Sequence, residues 1–349
     1  MWSAPRHESE QNVGVSREVF GAGVDNHVDA MIDGFLRDVY FPKSRSATVQ
    51  EELEAFRRRG LVGVAHIGRD FSEWWDRREE LLVPRVMGGM VEFSNIMNVL
   101  LGGRSFQDDV LPALEPGFTL VARRLSFDSL PSSPTPQLPG FAGIFRLQSE
   151  NDIRAVVPSA FQSLVTIANM ERGKEGKGSP LLLEFDELHG VKIYSASFEP
   201  PASKQAAPLG IEFNFSPSLA MVGSRVVLAS NRELARVLVE KLTELDKALK
   251  ARDSTPVSES FGDFVMLKSV EISKLLESNL EMMIAHIMVE ESKSPEEARF
   301  QMGAIQDALG FVGRLELRSS RRDHGLELNL TLRTRDRHVD ASPEKKRKF

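Results

Sequence analysis

Between Ile211 and Leu249 the chain changes its hydrophobic period, and few folds accommodate that change. Ile211, Phe213 and Phe215 alternate with Glu212 and Asn214, the pattern of a strand with one buried face, and Pro217-Ser218 turns the chain toward Leu219 to Val222. Gly223-Ser224 is a second turn signal, followed by a short strand from Arg225 to Ala229. Ser230-Asn231-Arg232-Glu233 has capping-box form, with Ser230 accepting the amide of Glu233 while that side chain reaches back. Leu234, Leu238, Leu242, Leu245 and Leu249 then recur every three or four residues, opposite Arg236, Glu240, Lys241, Glu244 and Lys247, so a helix follows.

The theme returns in looser form. Phe141 to Gln148 is a strand meeting Ser149-Glu150-Asn151-Asp152, after which Ile153, Val157, Ala160, Phe161 and Leu164 keep helical spacing; Pro158 within that run predicts a shortened or kinked helix. Leu61 to Ile67 runs into Asp70-Phe71-Ser72-Glu73, and Phe264 to Val270 into a stripe of Ile272, Leu275, Leu276, Leu280 and Ile284. Thr48-Val49-Gln50-Glu51 opens a short helix, and Pro295-Glu296-Glu297 opens the last one. Val86 to Leu101 reads as a buried helix, with Gly88-Gly89 and Gly102-Gly103 as breaks. Two hairpins are explicit. One turns at Leu188-His189-Gly190; in the other, Leu315 and Leu317 and then Leu326, Leu328, Leu330 and Leu332 alternate with polar residues across Asp323-His324-Gly325.

An α+β fold follows, with a large, mainly antiparallel, curved sheet of about ten strands built from hairpins and with capped helices packed on one face. Residues 1–23 read as a flexible lead-in, 24–115 as a mainly helical segment beginning with a helix over 24–41, and 116–335 as the α+β core. A linker at 254–260 and a disordered charged tail at 336–349 complete the organisation.

Hydrophobic residues make up 41% of the chain, enough for a large core. The net charge of -6 comes from interspersed acids and bases, so a nucleic-acid partner is not expected. The absence of cysteine removes disulfides, thiolate metal sites and a cysteine nucleophile. No segment approaches about 20 uninterrupted apolar residues, so no transmembrane segment is expected, and Met1-Trp2-Ser3-Ala4-Pro5 lacks the apolar run of a secretory leader.

Candidate chemistry is sparse. Gly173-Lys174-Glu175-Gly176-Lys177-Gly178-Ser179 departs from a phosphate loop in spacing and in following a helix, and reads as a solvated loop. His286 and Glu290, four apart on one helix, would make half a metal site, but no second histidine pair accompanies them. Asp186, Glu187 and His189 read as turn chemistry, and Asp108-Asp109 as a cap or solvated corner. His66, Arg69 and Asp70 gather where a strand meets a helix, with Trp74 and Trp75 beyond; adjacent helical positions point about 100° apart, so one ring anchors the core and the other lies at its rim. These five residues are the candidate binding positions. Met87, Met90, Met97, Met282, Met283 and Met288 keep helical spacing and read as core filling.

Leu147 to Ile153, Leu188-His189-Gly190-Val191-Lys192-Ile193-Tyr194 and above all Ser218 to Leu242 resemble an uncharacterised family of bacterial cell-envelope proteins, known as a domain of unknown function. The resemblance covers about residues 110–335. It implies an extracytoplasmic location and brings no catalytic residues. The expectation is a non-enzymatic envelope protein, without metal or cofactor, that binds an envelope protein or small ligand on its sheet or in a helical groove. The alternative is a hydrolase with an unorthodox site around His66, Arg69 and Asp70, with His286 as a further member.

Overall fold

The computed structural model describes residues 49–57, 60–148, 153–176, 179–201, 208–251, 262–322 and 325–334. The expected lead-in, the helix over 24–41, the Thr48 cap, the cap at 149–152, the linker at 254–260 and the charged tail all lie outside these residues, as do Lys177 and Gly178 of the glycine-rich loop.

Helix α1 (Val49–Phe56) leads to β1 (Leu61–Ile67), then α2 (Phe71–Asp76), α3 (Arg78–Leu81) and α4 (Pro84–Leu100). A π-helical turn (Phe106–Val110) and a 3-10 turn (Leu111–Ala113) deliver the chain to β2 (Leu114–Arg123) and β3 (Gly140–Leu147). Then come α5 (Ile153–Lys174), the hairpin β4 (Leu182–Leu188) and β5 (Val191–Ser197), the hairpin β6 (Ser218–Val222) and β7 (Arg225–Ala229), and α6 (Arg232–Lys250). Strand β8 (Phe264–Lys268) is followed by α7 (Ser269–Ser278), α8 (Leu280–Glu290) and α9 (Pro295–Phe311), and the hairpin β9 (Val312–Arg322) and β10 (Gly325–Thr334) ends the described chain.

The fold is α+β, and among the described residues ten strands form one antiparallel sheet in the order β10-β9-β8-β1-β2-β3-β7-β6-β5-β4. It contains two like halves. A strand, a helical excursion and two further strands occur first as β1, α2 to α4, β2, β3 and again as β8, α7 to α9, β9, β10. The leading strands pair antiparallel, His66 opposite Phe264 and Val64 opposite Met266, so the halves fan out in opposite directions from one seam.

Successive residues of a strand point to opposite faces. On one face Val64, Val121, Ile144, Ile193, Val227 and Met266 lie under α1 and α6, which contribute Leu53 and Phe56, and Leu234, Leu238 and Leu242. Complete burial of each leucine stabilises by about 1.5–3 kcal/mol. This is the expected packing of capped helices on one face. On the reverse face α5 covers the alternate residues Ala196, Leu219 and Val226 through Ala160, Phe161 and Val165. Among the described residues no helix is long and apolar enough to cross a membrane.

Several local expectations are corrected. Ile211–Asn214 is a 3-10 turn, not a strand, and Ile211 and Phe215 are exposed. Buried Asn214 explains the turn: its amide donates to the carbonyls of Pro136 and Ile211 and accepts from the amide of Leu138, partners that a strand would not supply together. Ser230 does not cap α6, because its hydroxyl accepts from the amide of Phe141; Asn231 takes the cap by accepting from Glu233 N, and Glu233 accepts from Ser126 N instead. Pro158 does not shorten α5, which continues to Lys174. Helix α4 runs through Gly88 and Gly89 without a break and is mostly exposed, Val99 at 79%, because no described element covers its outer side. Gly102 and Gly103, both at positive φ, do end it. The β4–β5 turn falls where expected, with His189 and Gly190 both at positive φ as a two-residue hairpin loop requires.

Within the core face sits a charge cluster. Arg146 on β3 and Arg225 on β7 are directly opposite each other, a repulsive cross-strand pair. Glu52 of α1, 1% exposed, accepts from Arg146 Nη2 and from Arg225 Nε. Arg225 Nη1 also donates to Asp246 Oδ1 of α6 at 2.8 Å. Glu115, at the start of β2, feels the same cations yet has its pKa raised, because burial outweighs the pull of Arg146.

Glu52→Gln leaves the two guanidinium groups facing each other in the core and lowers the unfolding free energy by about 3–5 kcal/mol in urea titrations; a loss below about 1 kcal/mol would refute the clamp. Glu115 holds its proton more tightly folded than unfolded, so its charge erodes stability as pH rises from the ordinary carboxylate range through the raised value. Glu115→Gln accordingly raises stability at pH 7 and flattens that part of the stability–pH curve, and an unchanged curve would contradict the assignment.

Candidate functional site

The residues expected to bind are placed individually. His66 on β1 is buried, its Nδ1 3.1 Å from Thr119 Oγ1 on β2. Its ring lies against Gly117, where φ is +91° and an added Cβ would come within 3.1 Å of the imidazole. Arg69 makes a two-pronged ion pair with Asp263, at 2.6 and 2.8 Å, tying the end of β1 to the approach of β8. Asp70 caps α2 by accepting from Glu73 N at 3.0 Å. Trp75 is the buried anchor, edge-on to Phe106 and donating to Gln107 Oε1 at 3.2 Å, while Trp74 is half-buried at the rim. The five residues thus serve separate partners around one strand end.

The remaining candidates are equally local. His286 and Glu290 are both exposed on α8, and among the described residues no cluster of three or more histidines and carboxylates could hold a metal. Asp186 accepts from Arg232 and Arg236, and Asp108 and Asp109 both bond Ser105, closing the π-helical turn. Met97 packs under α5, and Met283 and Met288 pack between α8 and α9; Met282 is exposed. A cleft of about 710 Å³ opens at the start of α6, with Phe198, Phe213 and Phe215 on its walls and an Arg232–Glu184 pair at 2.6 Å across its rim.

A larger feature comes from the strand register. Following paired residues across the reverse face gives one unbroken row from edge to edge: Leu330, Leu317, Val265, Ala65, Leu120, Gly143, Leu228, Leu219, Tyr194, Phe185. A parallel row runs Leu332, Leu315, Leu267, Gly63, Ala122, Phe141. Neither row contains a charged side chain. At about 4.8 Å between strands the first row is about 43 Å long. Helix α5 covers it at Leu219, but the middle is open: Leu120 is 42% exposed, Leu228 43% and Phe141 52%. Gly63 and Gly143 make room for neighbouring side chains, since an added Cβ would come within 2.6 Å of Leu267 and 3.2 Å of Phe145. On an antiparallel sheet an uncovered face is ordinarily polar. This apolar floor is the candidate functional surface, and none of the five residues singled out in the sequence contributes to it.

The alternation of leucines in the last hairpin was the visible part of this surface. The rest depends on which strands become neighbours, which no local pattern states. Compared with known proteins, the chain matches no family model, no curated protein and no solved structure.

The Arg69–Asp263 pair is a positioning contact, so Arg69→Met and Asp263→Asn each lower stability by about 1 kcal/mol in urea titrations. The double variant is no worse than the singles. Additive losses would show that the two side chains do not act together.

Proposed function

We propose that the chain is a non-enzymatic binding protein of the bacterial cell envelope, whose working surface is the open apolar middle of the reverse face. One observation carries this reading: one apolar row crosses the whole sheet and a second runs from β10 to β3, neither with a charged residue, and Leu120, Leu228 and Phe141 near the middle of the sheet remain about half exposed. Soluble proteins seldom leave such a patch unused, because covering it is favourable. Covering the exposed part of each central leucine or phenylalanine stabilises by about 1 kcal/mol. The occupant is therefore an apolar small ligand or the apolar side of a protein partner. The envelope location is supported by the resemblance carried by Ser218 to Leu242.

The hydrolase alternative gains no comparable support, since His66 and Asp70 are engaged by Thr119 and by the cap of α2.

A fluorescent fatty-acid analogue tests the surface. The folded chain binds it saturably, and Phe141→Glu or Leu228→Glu weakens binding at least about tenfold while leaving the unfolding free energy within about 0.5 kcal/mol, as expected for exposed positions. A chain that leaves the probe unbound, or a Phe141→Glu variant that binds it equally well, removes this reading.

A further inference from the structure

Strand β10 ends the sheet, and among the described residues no strand pairs with its outer edge. It is a long edge, paired with β9 in continuous register from Gly325 to Arg333, after which the ladder shifts register before Thr334, and natural proteins ordinarily blunt such edges with prolines, bulges or repelling charges. Its sequence shows a different arrangement. Around Leu330 the residues are arranged as complements: Glu327 and Arg333 lie three positions away on either side, Leu328 and Leu332 two, and Asn329 and Thr331 one.

We infer that β10 is a self-complementary docking edge for a second copy of this chain, pairing antiparallel about a two-fold axis at Leu330. In that register Leu330 meets its own copy, Leu328 meets Leu332, Asn329 meets Thr331, and Glu327 meets Arg333 twice. Side chains keep their faces, so the apolar reverse faces of two sheets join along leucines. A two-fold contact of this type closes on itself and yields a dimer rather than a fibre.

The charges select both the partner and the register. On the helix-bearing face Lys268, Arg314 and Arg333 are opposite one another across β8, β9 and β10, a row of cations that runs out to the edge. Like charges side by side on a sheet are unfavourable; within the chain Glu316 pairs with Arg314 at 3.0 Å, and in the dimer a carboxylate from the neighbouring copy meets the outermost cation of the row, Arg333. Within the described strand, shifting the axis by one residue places Asn329 or Gly325, rather than Glu327, against Arg333. The opposite edge is built the other way. Centring β4 on Glu184, Phe185 or Asp186 sets carboxylate against carboxylate or against an apolar residue, so the acidic edge rejects its own copy. Paired edges bury less than the roughly 800 Å² per partner of a standard interface, so the dimer is a reversible one.

The absence of cysteine makes the register directly testable. In the full chain, Leu330→Cys forms an intermolecular disulfide under mild oxidation, because position 330 meets itself. Leu328→Cys and Leu332→Cys do not crosslink alone but crosslink when the two variants are mixed. Sedimentation velocity over a dilution series to about 100 µM shows the wild type shifting toward twice the chain mass. Glu327→Arg or Arg333→Glu weakens that association about tenfold, and the doubly reversed chain recovers it to within about threefold. A chain that stays monomeric throughout the series, a dimer indifferent to both single reversals, or Leu328→Cys crosslinking alone as readily as Leu330→Cys would each overturn the inference. Because fatty-acid binding depends on Phe141 and Leu228, far from β10 in the strand order, loss of the dimer leaves that binding intact, and the two readings fail separately.

Discussion

Glu52 holds together charges that the sheet alone would push apart. Arg146 and Arg225 face each other on neighbouring strands in the core, and the carboxylate between them comes from a helix only eight residues long. Each arginine needs an acceptor once removed from water. The pair therefore fixes where α1 must lie, and the rest of that helix follows: Leu53 and Phe56 fall over the core, and Arg57 extends to Glu316 on β9 and over the ring of Phe264. Asp246 binds Arg225 from the other helix, so α1 and α6 are positioned by the same guanidinium group. Breaking such an arrangement is more damaging than its net contribution suggests, because the loss is a stranded charge rather than a missing contact.

The two faces of the sheet divide the chemistry. The helix-bearing side carries the paired charges, the buried histidine and the densest core. The reverse side is apolar along its whole width but only partly roofed. This inverts the usual economy of an antiparallel sheet, in which polar residues go wherever helices do not. The proposed binding function gives that inversion a reason. His66, Arg69 and Asp70 have separate structural duties, securing a strand end, the junction with β8 and a helix cap respectively.

Much of the fold was legible wherever its cause is local. The β6–β7–α6 unit, the turn at His189 and Gly190, the final hairpin and the antiparallel α+β class all follow from period, turn chemistry and spacing. The failures are equally physical. Ile211, Phe213 and Phe215 have a strand's alternation, but Asn214 finds its hydrogen-bond partners near Pro136 and Leu138, distant in sequence. The cap of α6 moved one residue because Ser230 is claimed by β3. Helix α4 is apolar enough to look buried, and composition cannot tell a covered helix from an uncovered one. The candidate surface was the least legible, since its rows join residues whose adjacency is set by strand order.

The seam between the two halves has a consequence for how the molecule comes into being. His66 and Phe264 are paired at the middle of the sheet, yet 197 residues separate them along the chain. During synthesis β1, β2, β3 and the hairpins through β7 emerge first and can assemble on one another, leaving the outer edge of β1 open until β8 leaves the ribosome. For that interval the nascent chain offers an unpaired strand beside bare leucines, a state prone to sticking to other chains. Closure of the seam by β8 pairs that open edge, and a chain truncated between α6 and β8 keeps it unpaired.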